Sequence, residues 1–213
     1  MSSYPFVTLA GEGNSRIEIK NSVFIGRATR IGSREEAEGF VREARDMYPD
    51  ARHTCYAWIF DGDMHMSKYS DDGEPSGTAG LPILSVLEKP GITNAAITVT
   101  RYFGGVLLGK GGLVKAYTDA AAECVRDAGK VSADLGLEFR LDTGYDMADK
   151  MIFTLRNSGF EVADTGYSDI VSIKTVTASS RADELIKLIT DRSSGRVTPV
   201  KTGERELLSR LED

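Results

Sequence analysis

The sequence predicts an α+β fold in two parts: a mostly antiparallel first domain and a ferredoxin-like βαββαβ second domain. Three observations carry this prediction. From about Val131 onward the strand and helix signals come in the order β-α-β-β-α-β, a split βαβ pattern that is complete in itself. Before it, short strand signals are joined by turn signals and interrupted by helical stretches. Within that first part, a glycine-rich run at 101–115 (RYFGGVLLGKGGLVK) lies between an apolar strand-like stretch and an amphipathic helical pattern. The boundary is expected near Ser132, giving domains at 1–131 and 132–213.

In chain order, residues 1–15 read as an exposed lead-in. Residues 16–19 and 23–31 (VFIGRATRI) read as strands, with 20–22 connecting them. Ser33 is a suitable N-cap, and Glu36 three residues later completes a capping box. The helix it opens places Ala37, Phe40, Val41, Ala44 and Met47 at helical spacing and stops before Pro49. Its acids and arginines read as a solvated face. Residues 55–60 (CYAWIF) form a strand, Asp61-Gly62 signals a hairpin, and 64–69 return. A small-residue loop at 70–82 (SDDGEPSGTAGLP) leads into a short helix over 77–89, ended by Pro90-Gly91. Residues 95–100 (AAITVT) are a buried strand by their β-branched content. A helix over 113–128 puts Leu113, Ala116, Tyr117, Ala120, Ala121, Cys124 and Ala128 on one face, and Gly129 stops it.

In the second domain, 135–141 is a strand. Residues 145–157 form a helix with Met147, Met151, Phe153 and Leu155 among its apolar positions. Strands at 160–167 and 170–178 flank a turn at Ser168-Asp169. A helix over 181–191 carries Leu185, Ile186, Leu188 and Ile189. A last strand at 196–201 precedes a polar end.

Composition narrows the class. Hydrophobic residues make up 41% of 213 residues and charged residues 27%, as in an ordinary globular chain. No apolar run spans a membrane and no signal pattern opens the chain, so a cytoplasmic protein without a membrane partner is expected. Cys55 and Cys124 are too few for a disulfide framework and are expected to be buried thiols. The net charge of −6 argues against a general polyanion binder but leaves room for a local basic site.

The glycines Gly104, Gly105, Gly109, Gly111 and Gly112 fall within nine positions. That density is used where the backbone needs positive φ or something approaches the main chain closely. Residues 104–111 (GGVLLGKG) follow the phosphate-binding pattern G-x-x-x-x-G-K-[ST] up to its last place, where Gly111 replaces the Mg²⁺-binding hydroxyl. Nucleotide hydrolysis is therefore not expected. A generic anion site is: the helix N-terminus exposes N–H groups, and Arg101, Lys110 and Lys115 add positive charge. A tight turn packing the helix onto the sheet explains the spacing equally well. Tyr102 and Phe103 form a base-stacking platform if exposed, and core aromatics if not. Asp71, Asp72 and Glu74 offer carboxylates, but Asp72-Gly73 is also a turn signal and the spacing is not that of a calcium loop. His53 is the one histidine within reach of the glycine loop; with Cys55 two residues on, the two are expected on opposite faces if both lie in a strand, and so not to act as a pair. No metal or cofactor site is expected.

The stretches SDDGEPSGTAGLPIL and VTRYFGGVLLGKGGLVKAY, with FIGRA and ARHTCYAW upstream, resemble the YigZ/IMPACT family over most of 22–129. The tail is similar to the family's bacterial C-terminal domain. The resemblance implies the fold of ribosomal protein S5 domain 2 for the first domain and a likeness to elongation factor G domain V for the second. It also implies a link to translation. Two readings follow. One is a translation-linked regulator that binds RNA or ribosomal components at the glycine-rich anion site. The other is a hydrolase-type enzyme on a small phosphorylated or peptide-like substrate. Its site would lie between the two loops, with His53, Asp71, Asp72 and Glu74 as candidate catalytic groups.

Overall fold

The computed structural model describes residues 4–211. The first three and last two residues of the expected lead-in and tail lie outside the described residues. The chain forms two compact units, Met1–Ser132 with Ser209–Asp213, and Ala133–Leu208.

The first unit opens with β1 (Phe6–Leu9), followed by β2 (Gly13–Ile19) and β3 (Ser22–Arg30). Much of the expected lead-in is thus strand. Leu9 is fully buried, and the Thr93 N–H donates to the Val7 carbonyl at 2.9 Å. Lys20 and Asn21, both at positive φ, make the tight connection between β2 and β3. Next come α1 (Arg34–Met47), β4 (His53–Asp61), β5 (His65–Ser70), α2 (Gly80–Glu88), β6 (Ala95–Tyr102) and α3 (Gly109–Ala128). The five strands from β2 to β6 form one antiparallel sheet in the order β2-β3-β6-β4-β5.

Strand β6 is central, and all but its last residue are buried. Helices cover both faces there, so it reads as a continuous apolar run rather than an alternating one. One face packs Cys55, Ala57, Ile59, Ile97 and Val99 against α2 and α3. The other packs Trp58 and Ala96 against Ala37 and Phe40 of α1. The capping box forms with one variation: Ser33 Oγ accepts from the Glu36 N–H at 3.1 Å, while Glu36 Oε2 accepts from Gly32 rather than from Ser33. Met47, expected in the core, is half exposed at the end of α1, where its sulfur takes a hydrogen bond from Arg27.

Helix α3 lies against β2 and β3 because glycines let it. A Cβ on Gly13 would sit 2.0 Å from the Cys124 carbonyl oxygen, and one on Gly26 2.4 Å from Cys124 Sγ. Ser15 Oγ donates to the Ala120 carbonyl at 2.8 Å across the same contact. Both cysteines are buried free thiols, and burial pushes that of Cys124 up to about 11.

In the second unit, β7 (Lys130–Thr143), α4 (Tyr145–Asn157), β8 (Glu161–Tyr167), β9 (Val171–Ala178), α5 (Ala182–Ser193) and β10 (Val200–Arg210) follow the predicted βαββαβ order. The sheet is five-stranded: β10-β7-β9-β8 run in the ferredoxin-like order, and β1 also pairs with β7. Met147, Met151, Leu155, Leu185 and Ile189 fill the core beneath the two helices. Phe153, two residues past Met151, falls on the far side of α4 and is exposed, as is Ile186 on α5. The last strand begins later and runs longer than expected. Its polar sequence is paired by charge, Lys201 with Glu204 and Arg205 with Glu161, so hydrophobic alternation does not reveal it.

Gly13→Ala should destabilise the protein by about 1–3 kcal/mol through overpacking. Gly11→Ala, with nothing within 4 Å of the added carbon, should stay within about 0.5 kcal/mol of wild type. Urea unfolding of both variants measures this.

Candidate functional site

Residue 101 begins the site. In β6 it lies opposite Phe24 of β3 and His53 of β4. Its neighbour Tyr102 points to the other sheet face, where the hydroxyl donates to Asp50 at 2.7 Å. Arg101 is thereby turned inward and its side chain is only 7% exposed. Nη1 donates to Glu74 Oε1 at 2.7 Å, and Nη2 to Ser22 Oγ at 3.3 Å. The guanidinium packs over the rings of Phe24 and Phe103, 5.4 Å from each centroid. Its Nε–H is buried and has no acceptor among the described residues.

Glu74 is the inward-facing member of the acidic loop, with a side chain 4% exposed. Besides Arg101, its Oε1 accepts from the Tyr117 hydroxyl at 2.8 Å. Burial, with Cys55 and Glu74 beside it, pushes the Tyr117 hydroxyl far above the ordinary tyrosine range, so it serves as a neutral donor. Ser22 Oγ also accepts from the Gly104 N–H at 3.1 Å. One buried cluster, Glu74–Arg101–Ser22 with Tyr117, therefore joins the acidic loop to the glycine loop.

The other two acids hold the loop itself. Asp71 accepts from the N–H groups of Gly77, Ala79 and Gly80 at 2.8–2.9 Å. Partial burial raises its pKa, but these amides outweigh it and hold the carboxyl below the usual range. Asp72 adopts positive φ ahead of Gly73 and accepts from Arg45 and from the Thr54 N–H, each at 2.8 Å. His53 and Cys55 fall on the same face of β4, not on opposite ones as expected, because side chains two apart in a strand share a face, and both reach this loop. Cys55 Sγ donates to the Asp71 carbonyl at 3.0 Å. His53 Nδ1 lies 2.8 Å from the Asp72 carbonyl, which can only accept. That nitrogen therefore carries a proton, which in the neutral ring leaves Nε2 as the acceptor. Among the described residues no three His, Cys, Asp or Glu side chains gather to hold a metal ion.

Between the loops lies a cleft of about 400 Å³. Arg52, His53, Glu74, Arg101, Phe103 and Lys110 line it, with Pro75, Leu107, Leu108, Gly109 and Leu113. Helix α3 starts four residues earlier than expected, so Gly109, Lys110, Gly111 and Gly112 form its first turn. Leu108 holds the N-cap position, no side chain caps the helix, and no acid lies in its first turn. The glycines divide by role. A Cβ on Gly104 would sit 2.1 Å from the Asn21 carbonyl carbon, so its need is steric. Gly105 and Gly109 hold positive φ, while a Cβ on Gly111 would meet nothing within 4 Å. The space above that first turn is therefore open. Lys115 is on the exposed side of α3, paired with Asp119 at 2.6 Å. Of the predicted site residues, the cleft collects His53, Glu74, Arg101, Gly109 and Lys110. Arg52 and the Ser22–Tyr117 contributions were not legible in the sequence, because strand register and helix approach create them.

The fold and the cleft define a two-domain α+β protein. In its first domain, paired acidic and glycine-rich loops close on a buried ion pair. The Impact N-terminal domain matches residues 20–125 and a domain of unknown function, DUF1949, matches residues 141–196. The chain is 32% identical to the IMPACT family member YvyE of Bacillus subtilis, over 97% of this chain and 95% of that one. It is 33% identical to the IMPACT family member YigZ of Escherichia coli, over 84% and 88% of the two chains. A crystal structure described only as that of a hypothetical protein aligns with TM-score 0.60 and 30% identity, covering 95% of this chain and 98% of that one. This chain belongs to the IMPACT family. The first domain has the ribosomal protein S5 domain 2-like fold and the second the ferredoxin-like fold. Among the described residues no helix is long and apolar enough to cross a membrane.

Arg101→Ala or Glu74→Ala should each destabilise the protein by about 3–5 kcal/mol, since each leaves a buried charge unpaired. The apolar double replacement Arg101→Met with Glu74→Leu should recover most of that loss in urea unfolding. Single variants within about 1 kcal/mol of wild type would contradict the buried-pair assignment.

Proposed function

We propose that this protein is a translation-linked regulator, acting in the cytoplasm, that binds RNA or ribosomal components at the cleft of its first domain. The observation that carries this reading is the uncapped first turn of α3, opening on the cleft between Lys110 and Arg52. Free N–H groups and the positive end of the helix dipole favour a phosphate there. Lys110 and Arg52 supply exposed positive charge in a protein whose net charge is negative. Phe103, 49% exposed at the cleft wall, offers a ring on which a base can stack. Arg101 does not meet the phosphate directly in this reading; it fixes the loop that does. One phosphate contact with one stacked base suits a single-stranded segment better than a continuous duplex track.

In filter binding with a short single-stranded RNA, affinity should fall linearly on logarithmic axes as salt rises. Lys110→Ala should reduce that slope by about 1, and Phe103→Ala should weaken binding by roughly 1–3 kcal/mol. No detectable binding at low salt to RNA or ribosomes would remove the reading.

A second reading, a hydrolase-type enzyme on a small phosphorylated or peptide-like substrate, is favoured by His53. Its Nδ1–H is fixed on a main-chain carbonyl, so in the neutral ring Nε2 is the nitrogen able to accept a proton, in a concave site. Here turnover of small phosphomonoesters or dipeptides should be measurable and should drop by roughly 10²–10⁴-fold in His53→Gln. Absence of turnover in the wild-type protein, or an undiminished rate in the variant, would end it.

A further inference from the structure

The RNA reading of the cleft uses Lys110, Arg52 and Phe103 and leaves the tip of the glycine loop without a task. Val106 and Leu107 are both exposed there, Leu107 to 82%, the highest value of any large apolar side chain among the described residues. This exposure is built into the loop. On one side the Gly104 N–H donates to Ser22 Oγ at 3.1 Å, and on the other Leu108 packs against the core. Gly105 and Gly109 hold positive φ on either side of residues 106–108, so the tip stands clear between fixed ends. Single exposed apolar side chains need no explanation. These two adjoin exposed Phe103 and continue into the apolar wall of the cleft, formed by Leu107 itself with Pro75, Leu108 and Leu113.

The rim of this surface carries one sign of charge. Arg52 and Lys110 line the cleft, are exposed, and form no ion pair among the described residues. The carboxylate of the cleft, Glu74, is buried and already shared by Arg101 and Tyr117, so it does not neutralise them. An apolar ridge beside two free cations is complementary to apolar side chains flanked by carboxylates. Neither Val106 nor Leu107 has a donor for a phosphate or a ring for a base, so nucleic acid does not account for the tip. A second copy of the chain fits poorly, because an isologous contact sets the same two cations against each other.

We propose that the tip Val106–Leu107, with Phe103 and the cleft wall beside it, docks an acidic protein segment carrying apolar side chains, its carboxylates on Arg52 and Lys110. A ridge this small suits a weak, transient contact rather than an obligate one. The proposal goes beyond the RNA reading and does not depend on it. Because Arg52 and Lys110 serve both, the segment and RNA compete.

The probe is a fluorescein-labelled dodecapeptide in which leucine–phenylalanine pairs alternate with aspartate–glutamate pairs. Its control carries lysine in place of every acid. Fluorescence anisotropy with the full chain should show saturable binding of the acidic peptide and weaker binding of the control. The net charge of −6 favours the opposite order, so the preference reports the local site. Leu107→Ser should weaken the acidic peptide by about tenfold and leave the urea midpoint unchanged. Lys110→Ala should weaken it by about threefold. Val106→Ser, outside the cleft lining, should weaken it by about threefold and leave the affinity for single-stranded RNA as it was. No saturable binding of the acidic peptide, equal or tighter binding of the control, or a response that survives Leu107→Ser overturns the proposal. RNA affinity that falls in Val106→Ser as far as peptide affinity does also overturns it, and gives the tip to RNA. Sedimentation showing self-association that Leu107→Ser abolishes overturns it in favour of a second copy. Peptide binding as expected with no RNA binding supports the proposal and removes the RNA reading alone.

Discussion

The first domain depends on a buried ion pair between the acidic loop and the end of β6, just before the glycine loop. Glu74 and Arg101 are 27 residues apart and meet at 2.7 Å with almost no solvent contact. Taking two charges out of water is expensive, and Coulomb attraction repays it only when the remaining donors and acceptors are also satisfied. Tyr117 and Ser22 supply most of that satisfaction, so α3 and the start of β3 are drawn into the same cluster. Such a pair contributes more to register than to net stability. If the acidic loop shifts by one residue, Arg101 loses its counter-ion inside an apolar core.

That constraint explains the division of labour around the cleft. The residues that look most chemical in the sequence are largely structural. Asp71 ties the loop to the N-terminus of α2, Asp72 ties it to α1 and β4, and Gly104 lets the chain pass the β2–β3 turn. What remains uncommitted is a smaller set: the first turn of α3, Lys110, Arg52, Phe103 and Nε2 of His53. A rigid frame with a few free groups at its mouth is the usual arrangement of a binding site.

Local signals in the sequence were reliable. The capping box at Ser33 and Glu36, the hairpin at Asp61-Gly62, the helix over 145–157 and the βαββαβ order all rest on patterns a few residues long, and all appear. The glycine run showed that something unusual happens at 104–112, but it could not divide steric glycines from open ones. That division depends on how closely Asn21 passes Gly104, a contact between segments about eighty residues apart. The burial of Arg101 was hidden for the same reason. Nothing in RYFGG says that the arginine faces inward and the tyrosine outward until the register of β6 against β3 and β4 is known. Phe153 and Met47 mark the opposite limit, apolar residues that periodicity assigns to the core and packing leaves outside. Strand β10 is only partly visible in the sequence because its residues are mostly charged and polar and it is placed by pairing with β7.

The most direct test of the account is native-state hydrogen exchange on the full chain carrying Glu74→Gln, a substitution that keeps shape and removes charge. If the Glu74–Arg101 pair couples the loops, protection should fall together at the Ala79 and Gly80 amides in one loop and at the Gly104 amide in the other. Amides of the β7–β9 ladder in the second domain should keep wild-type rates. Faster exchange confined to the loop that carries residue 74, with Gly104 as protected as before, would contradict it.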